Sequence, residues 1–266
     1  MGRYGNGASV ENIARQAGCS EGSVENYTDR YFVAIESLHD LFVRRLTSAE
    51  KEVEKKWVDE HIGFRGKMRE GWVMYDGTII VLYKIPGLNG DAYYTRKGNY
   101  GLNAQIGNTP SNLQIVDYSH GMTGSAHDAT AFEHTTAAKY PDWFFDGEEF
   151  AWADSAYAVN SHTIPVHKKP ASDDPANSLF DKVVAHLHVR SEHCMGALKG
   201  QFQCLPIILH NLIIDVEGSK SAAHFGGEHS HTEDDEDCGV QDTLMDGEDE
   251  TKRKELVAEL MAFREM

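Results

Sequence analysis

Between Gly71 and Pro86 the chain reads GWVMYDGTIIVLYKIP, a run of β-branched and aromatic residues with one carboxylate, Asp76, set inside it. Such a run predicts a strand closed by the proline. A carboxylate embedded in it is costly to bury unless something compensates the charge. The segments around it fix the fold class. NYGLNAQIGN and LQIVDYSHG predict two further strands separated by the turn NTPSN, so that three strands form an antiparallel meander. DATAFEHTTAAKY predicts a helix opening at Asp128, and EEFAWADSAYAV a strand ending near Asp154. HTIPVHKKPASDDPANS reads as a Pro-rich loop. LFDKVVAHLHVRSEHCMGALKGQF reads as a long helix, with Leu179, Val183, Leu187, Met195 and Leu198 at spacings near 3.6. Strands followed by alternating helix and strand predict an α/β domain: a mixed sheet with helices on its faces.

Upstream the period is helical. SVENIARQAGCSEGSVENYTDRYFVAIESL predicts two helices around a tight turn, with Ala14 where they cross, Gly18 in the turn and Val24 as the apolar anchor. That is helix-turn-helix spacing, with Ser20 and Ser23 supplying N-cap chemistry. The second helix opens Glu21, Gly22, Ser23, Val24, Glu25 and has no basic residue before Arg30, which weighs as much for a packing role as for DNA contact. Residues 36–62 continue as charged helix to Gly63. The expected organisation is a helical region over 1–62, an α/β domain over 63–216, and an acidic tail over 217–266 that is disordered apart from a short terminal helix in TKRKELVAELMAFREM.

The net charge is −17, but residues 217–250 alone hold twelve acids and one lysine. The acidity is concentrated in the tail, so a nucleic-acid partner for the body is not excluded. Within that tail, His224, His229, His231 and Cys238 read as solvated side chains rather than a metal site. The cysteines are scattered, with no CxxC pair, which argues for free thiols in a reducing compartment. No run of apolar residues is long enough to span a bilayer, and the first residues lack a signal-peptide core, so a soluble protein made in the cytosol is expected.

Four acids stand at the edges of apolar segments: Asp76 in YDGT, Asp128 in GSAHD, Asp154 in ADSAY and Glu192 in VRSEH. Gathering carboxylates from a strand, a helix start, a strand end and a helix calls for a cation, and hard oxygen ligands suit Mg²⁺. Cleavage of a phosphodiester needs a water made basic and a leaving oxygen whose charge is neutralised; a pair of Mg²⁺ ions does both. The bland alternative is a set of surface and N-cap acids, Asp128 capping the helix it opens. Asp117 and Asp142 read as exposed. His127, beside Asp128, reads as a group that orients a carboxylate or phosphate. Arg96, Lys97, Arg190 and Lys199 are the candidate DNA-backbone contacts.

With the ordered set GWVMYDGT, RKGNYGLNAQ, GSAHDATAFEHT, FAWADSAY, VRSEHCMGALKGQF and ILHNLII, the stretch 9–216 resembles the PIF/Harbinger transposases and their domesticated nuclease relatives. That resemblance implies an RNase H-like DDE nuclease that cuts and transfers DNA strands with Mg²⁺, Mn²⁺ being able to substitute. Asp76, Asp128 and Glu192 match its acidic triad, and Asp154 matches the aspartate of its GDSGY-like motif. It also implies residence in the nucleus, with some protein in the cytoplasm, a Myb-like partner supplying DNA specificity, and room for oligomer formation. Two departures favour an alternative, a catalytically inactive, domesticated or decayed transposase that binds DNA or protein. Gln201 replaces a common arginine, and QCL runs directly into PIILHNLII at Leu205–Pro206, where relatives carry an intervening segment.

Overall fold

A computed structural model describes residues 8–201, 207–217 and 249–264. The helices are α1 Val10–Ala17, α2 Glu21–Glu36, α3 His39–Phe42, α4 Ser48–Ile62, α5 Asp128–Phe132, α6 Thr136–Lys139, α7 Pro141–Phe144, α8 Pro175–Gln201, α9 Ile207–Glu217 and α10 Asp249–Arg264. The strands are β1 Gly71–Val81, β2 Gly101–Asn108, β3 Ile115–Thr123, β4 Phe150–Ala153 and β5 Thr163–Pro165. They form one mixed sheet in the order β3-β2-β1-β4-β5. β1 pairs antiparallel with β2, and β2 with β3, which is the expected meander. On its other edge β1 runs parallel to β4, and β4 parallel to β5.

Alternation along β1 sends its side chains to two different cores. Met74 joins Trp152, Ile164 and the α8 residues Phe180, Val184 and Leu187 on one face. Further along that helix, Cys194, Ala197 and Leu198 cover Ile106 and Ile115 of the meander. On the opposite face Val73 and Tyr75 pack with Phe132, Ala137, Phe144 and Tyr157. The central strand is therefore covered on both faces, and any polar group on it must find partners inside the protein.

Several boundaries differ from the sequence reading. The single helix expected from Asp128 to Tyr140 is broken into α5 and α6, because Thr135 turns its hydroxyl to cap the second piece at Ala138 N–H. Asp117, expected at the surface, is buried and makes that break rigid. It accepts from the Tyr75 hydroxyl at 2.6 Å and from the backbone N–H groups of Thr136 and Ala137 at 3.2 and 3.0 Å. Asp142 is exposed, as expected. The Pro-rich loop contains strand β5; its three residues are too few to show a period. The helical stretch after Glu36 is interrupted between Phe42 and Thr47, and α4 restarts there with a capping box.

The helices α1 and α2 meet at Gly18, which takes a left-handed φ of 66° while its N–H reaches the carbonyl of Ala14. Ala14 and Val24 are buried between them, and Ser20 caps α2. The terminal helix α10 docks, with Leu256, Val257 and Leu260 buried against Val58, Phe64 and Met68. The four tail residues His224, His229, His231 and Cys238, the Leu205–Pro206 junction and the Gln201 side chain lie outside the described residues. Among the described residues no helix is long and apolar enough to cross a membrane.

Candidate active site: carboxylates at the ends of two parallel strands

The parallel pairing of β1 with β4 sets Met74 against Trp152. Two residues further along each strand direction stand Asp76, still within β1, and Asp154, just past the end of β4. Neighbouring strands lie about 4.8 Å apart, so one cation can reach a carboxylate from each. Asp154 is the first residue beyond β4, and its Oδ1 accepts from Ala156 N–H at 2.8 Å, which turns the chain and fixes the side chain. The electrostatics agree with this proximity. Burial is the main cause that lifts the Asp76 carboxyl to about 6, from an ordinary 3.8. The His188 charge opposes that rise, while the negative charges of Asp154 and then Asp128 add to it.

Asp128 approaches from the other face of the sheet. Its Oδ1 accepts from Asn103 Nδ2 and Gln105 Nε2, each at 2.9 Å. These two amides sit at alternate positions on β2, buried, and Gln105 accepts in turn from the Tyr157 hydroxyl. The carboxylate reaches the strand because Gly77 opposite has no side chain; a Cβ there would collide with it. Asp128 therefore does not cap α5; His127 holds the N-cap position without a side-chain bond. The Tyr157 hydroxyl is held well above the ordinary tyrosine range, chiefly by burial and then by the charges of Asp76, Asp154 and Asp128. All three aspartates thus act on one buried phenol, although they arrive from β1, from the end of β4 and from the start of α5.

The long helix α8 brings His188 to the cluster, its Nε2 3.9 Å from Asp76 Oδ2. Glu192 follows one turn later on the same helix, half-buried. Among the described residues no three carboxylate, imidazole or thiol groups are drawn tightly enough to hold an ion as they stand. The donor chemistry nevertheless suits a hard cation: the carboxylates repel one another, and a bound charge relieves that repulsion.

The basic candidates divide. Arg96 is exposed and donates to His127 Nδ1 at 3.1 Å, beside Asp128. Lys97 and Lys199 are both exposed and come from different elements. Lys199 is held below the usual lysine range first by desolvation and then by the Lys97 charge, with Asp76 pulling the other way. These three rim the acidic cluster. Arg190 is drawn into packing instead. Its guanidinium donates to the carbonyls of Pro110 and Ser111 at 2.7 and 2.9 Å and lies 5.4 Å from the Trp57 ring centre.

Sequence reasoning missed His188, Asn103, Gln105 and Tyr157. The signal for the amides was present in GLNAQ, where two amides alternate inside a strand and demand buried partners. His188 lies one helical turn before Glu192, so it shares the face that Glu192 presents. A cavity of about 520 Å³ opens elsewhere, along β3 between α3 and α7, but its Arg44 and Arg45 are held by Glu50 and Asp146. Its one carboxylate, the buried Asp117, is already committed to the Tyr75 hydroxyl and to the N–H groups of Thr136 and Ala137.

No curated protein and no solved structure matches this chain. A family model does match, that of the DDE superfamily endonuclease, over residues 75–220, which takes in Asp76, Asp128, Asp154 and Glu192. With more than half of its length inside that match, the chain belongs to the DDE superfamily endonuclease family.

Proposed function

We propose that the protein is a divalent-metal-dependent DNA endonuclease of transposase type, working in the nucleus on duplex DNA, with Mg²⁺ as the physiological ion. The observation that carries this reading is the buried Asp76 on β1 feeling the charge of Asp154, which follows the parallel neighbour β4, under a helix carrying Glu192. The meander on one side of β1 and parallel strands on the other is the arrangement expected of an RNase H-like domain. The family uses divalent metals, and the carboxylates here are the groups that would hold one. When bound, the ion supplies Lewis acidity to the scissile phosphate and makes an attacking water more basic.

The chain's own residues divide the remaining work. Asp76 and Asp154 form the primary pair and Glu192 completes the set from α8. Asp128, whose orientation Asn103 and Gln105 fix, adds negative charge from the opposite face. Arg96, Lys97 and Lys199 hold the phosphates on either side of the cut. The subfamily is the PIF/Harbinger group, on the strength of its ordered motifs. A Myb-like partner supplies most of the sequence specificity, because α2 opens with exposed Glu21 and Glu25 where a DNA reader needs cations.

Nicking of supercoiled plasmid in Mn²⁺ tests this. The intact chain is expected to nick, Asp76→Asn and Asp154→Asn to lose all nicking and Mn²⁺ binding, and Asp128→Asn to lose less. Nicking that survives in Asp76→Asn would place the activity elsewhere. A folded intact chain that binds plasmid and never nicks it would make the protein a DNA-binding module instead.

A further inference from the structure

The connection between β1 and β2, residues 82–100, carries large apolar side chains that are exposed among the described residues. Tyr83 is 105% exposed and Leu88 80%, and Ile85 and Tyr94 are exposed beside them. Yet the base of this loop is firmly built. Leu82 N–H donates to Tyr100 O and Thr95 N–H to Asn99 O, both at 2.8 Å, and the Tyr94 and Tyr100 rings meet at 5.3 Å. Ala92 O accepts from both the N–H and the hydroxyl of Ser125, at 3.2 and 2.7 Å. The loop is thereby pinned to the segment that leads into His127 and Asp128.

Its charge runs against that of the whole molecule. In a chain of net −17, residues 82–100 hold Lys84, Arg96 and Lys97 against the single acid Asp91. Two of those cations belong to the rim of the acidic cluster. Tyr83 lies seven residues beyond Asp76 and Leu88 twelve, and a strand's rise over the first seven spans at most about 23 Å. A duplex rising about 3.4 Å per base pair covers that distance in about seven pairs.

We propose that this loop is a DNA-wedging arm: its cations follow the backbone of the duplex beside the cut, and Tyr83 and Leu88 press into a base step there and unstack it. The inference rests on the endonuclease reading and adds to it the form in which DNA is held. Apolar wedges flanked by basic residues bend duplexes in this way. Charge complementarity selects the occupant: a basic loop beside a phosphate-gripping rim attracts DNA and repels the same loop of a second copy.

The test uses the full chain and its Tyr83→Ser/Leu88→Ser variant, whose melting temperature should match because both side chains are exposed. Each is titrated into short duplexes carrying 2-aminopurine at successive positions, with Ca²⁺ present to screen the carboxylates. The intact chain is expected to raise fluorescence at a discrete position. The variant is expected to lose that rise and bind about tenfold more weakly, the loss typical of one stacking contact. Its salt dependence should stay unchanged, because the phosphate contacts remain. A variant that retains both signal and affinity overturns the wedge alone. An intact chain that binds no duplex overturns the endonuclease reading with it. A variant that changes only the sedimentation of the protein makes the tip an interface between copies and overturns the proposal.

Discussion

Asp76 shows at the scale of one residue what burial beside other carboxylates does to a charge. Its carboxyl is raised to about 6 mainly by burial, so the metal-free fold prefers it neutral. A raised pKa gives a stability contribution that is complete below the unfolded value near 3.8 and is lost as pH climbs through 6. Asp76→Asn keeps the shape without the charge. It is expected to stabilise the metal-free protein at pH 7 by on the order of 2–3 kcal/mol, and to abolish the stabilisation that Mn²⁺ gives the intact chain. Melting curves at pH 4, 6 and 7, with and without the ion, check both; equal melting temperatures for the two proteins at pH 7 would contradict this account. Asp76, Asp128, Asp154 and Glu192 were legible in the sequence because each interrupts an apolar pattern. The hydrogen bonds that aim Asp128 were not, because they join β2 to the start of α5 through contacts that no local period encodes. Asp117 was misread for the same reason: its partner Tyr75 is 42 residues away.

At the scale of the element, local sequence decides where α4 starts and where it stops, at the left-handed Gly63. The opening of α4 is a reciprocal cap. Glu50 N–H donates to Thr47 Oγ1 at 3.3 Å, Thr47 N–H returns the bond to Glu50 at 2.8 Å, and Arg44 grips the same carboxylate at 2.6 and 3.0 Å. The Arg44 bond is the largest cause lowering the Glu50 carboxyl to about 2. A depressed carboxyl stabilises the fold above its unfolded value of 4.5 and loses that contribution as pH falls towards 2. The pair is 40% exposed on each side, so solvent screens much of its Coulomb energy. Thr47→Ala is therefore expected to cost about 1 kcal/mol in urea denaturation at pH 7, the usual worth of a cap. The cost should shrink at pH 3, where Glu50 in the unfolded chain is already protonated. A pH-independent cost would assign the loss to packing rather than to the cap. The same helix anchors β4, for Lys51 is wholly buried and donates to Glu149 at 2.7 Å and to the Phe144 carbonyl at 2.8 Å. That link holds the entry of the strand whose far end bears Asp154.

Across the whole molecule, the position of Asp154 depends on a chain of packing that reaches the C-terminal helix. Trp152 of β4 sits in one cluster with Phe64, Met68 and Phe180, and Leu256, Val257 and Leu260 of α10 close that cluster. TKRKELVAELMAFREM puts Leu256, Leu260 and Phe263 on one side of a helix too short to stand alone and leaves open what they meet; Leu256 and Leu260 are buried, whereas Phe263 is exposed. The answer is the far side of the core that β1 and β4 share, supported at its rim by Lys67 paired to Glu255 at 2.6 Å. Leu256 is fully buried there, so Leu256→Ala leaves a cavity and is expected to cost about 2–5 kcal/mol in denaturant unfolding. The exposed Phe263 on the same helix gives the control, since Phe263→Ala should change stability little. A further consequence separates global loss from local loosening. If α10 braces β4, Leu256→Ala should weaken Mn²⁺ binding while the protein is still folded, because Asp154 moves with the strand. If α10 merely covers the core, Mn²⁺ affinity will hold until the unfolding transition itself. Calorimetric titration of Mn²⁺ into Leu256→Ala, well below its melting temperature, distinguishes a brace from a cover.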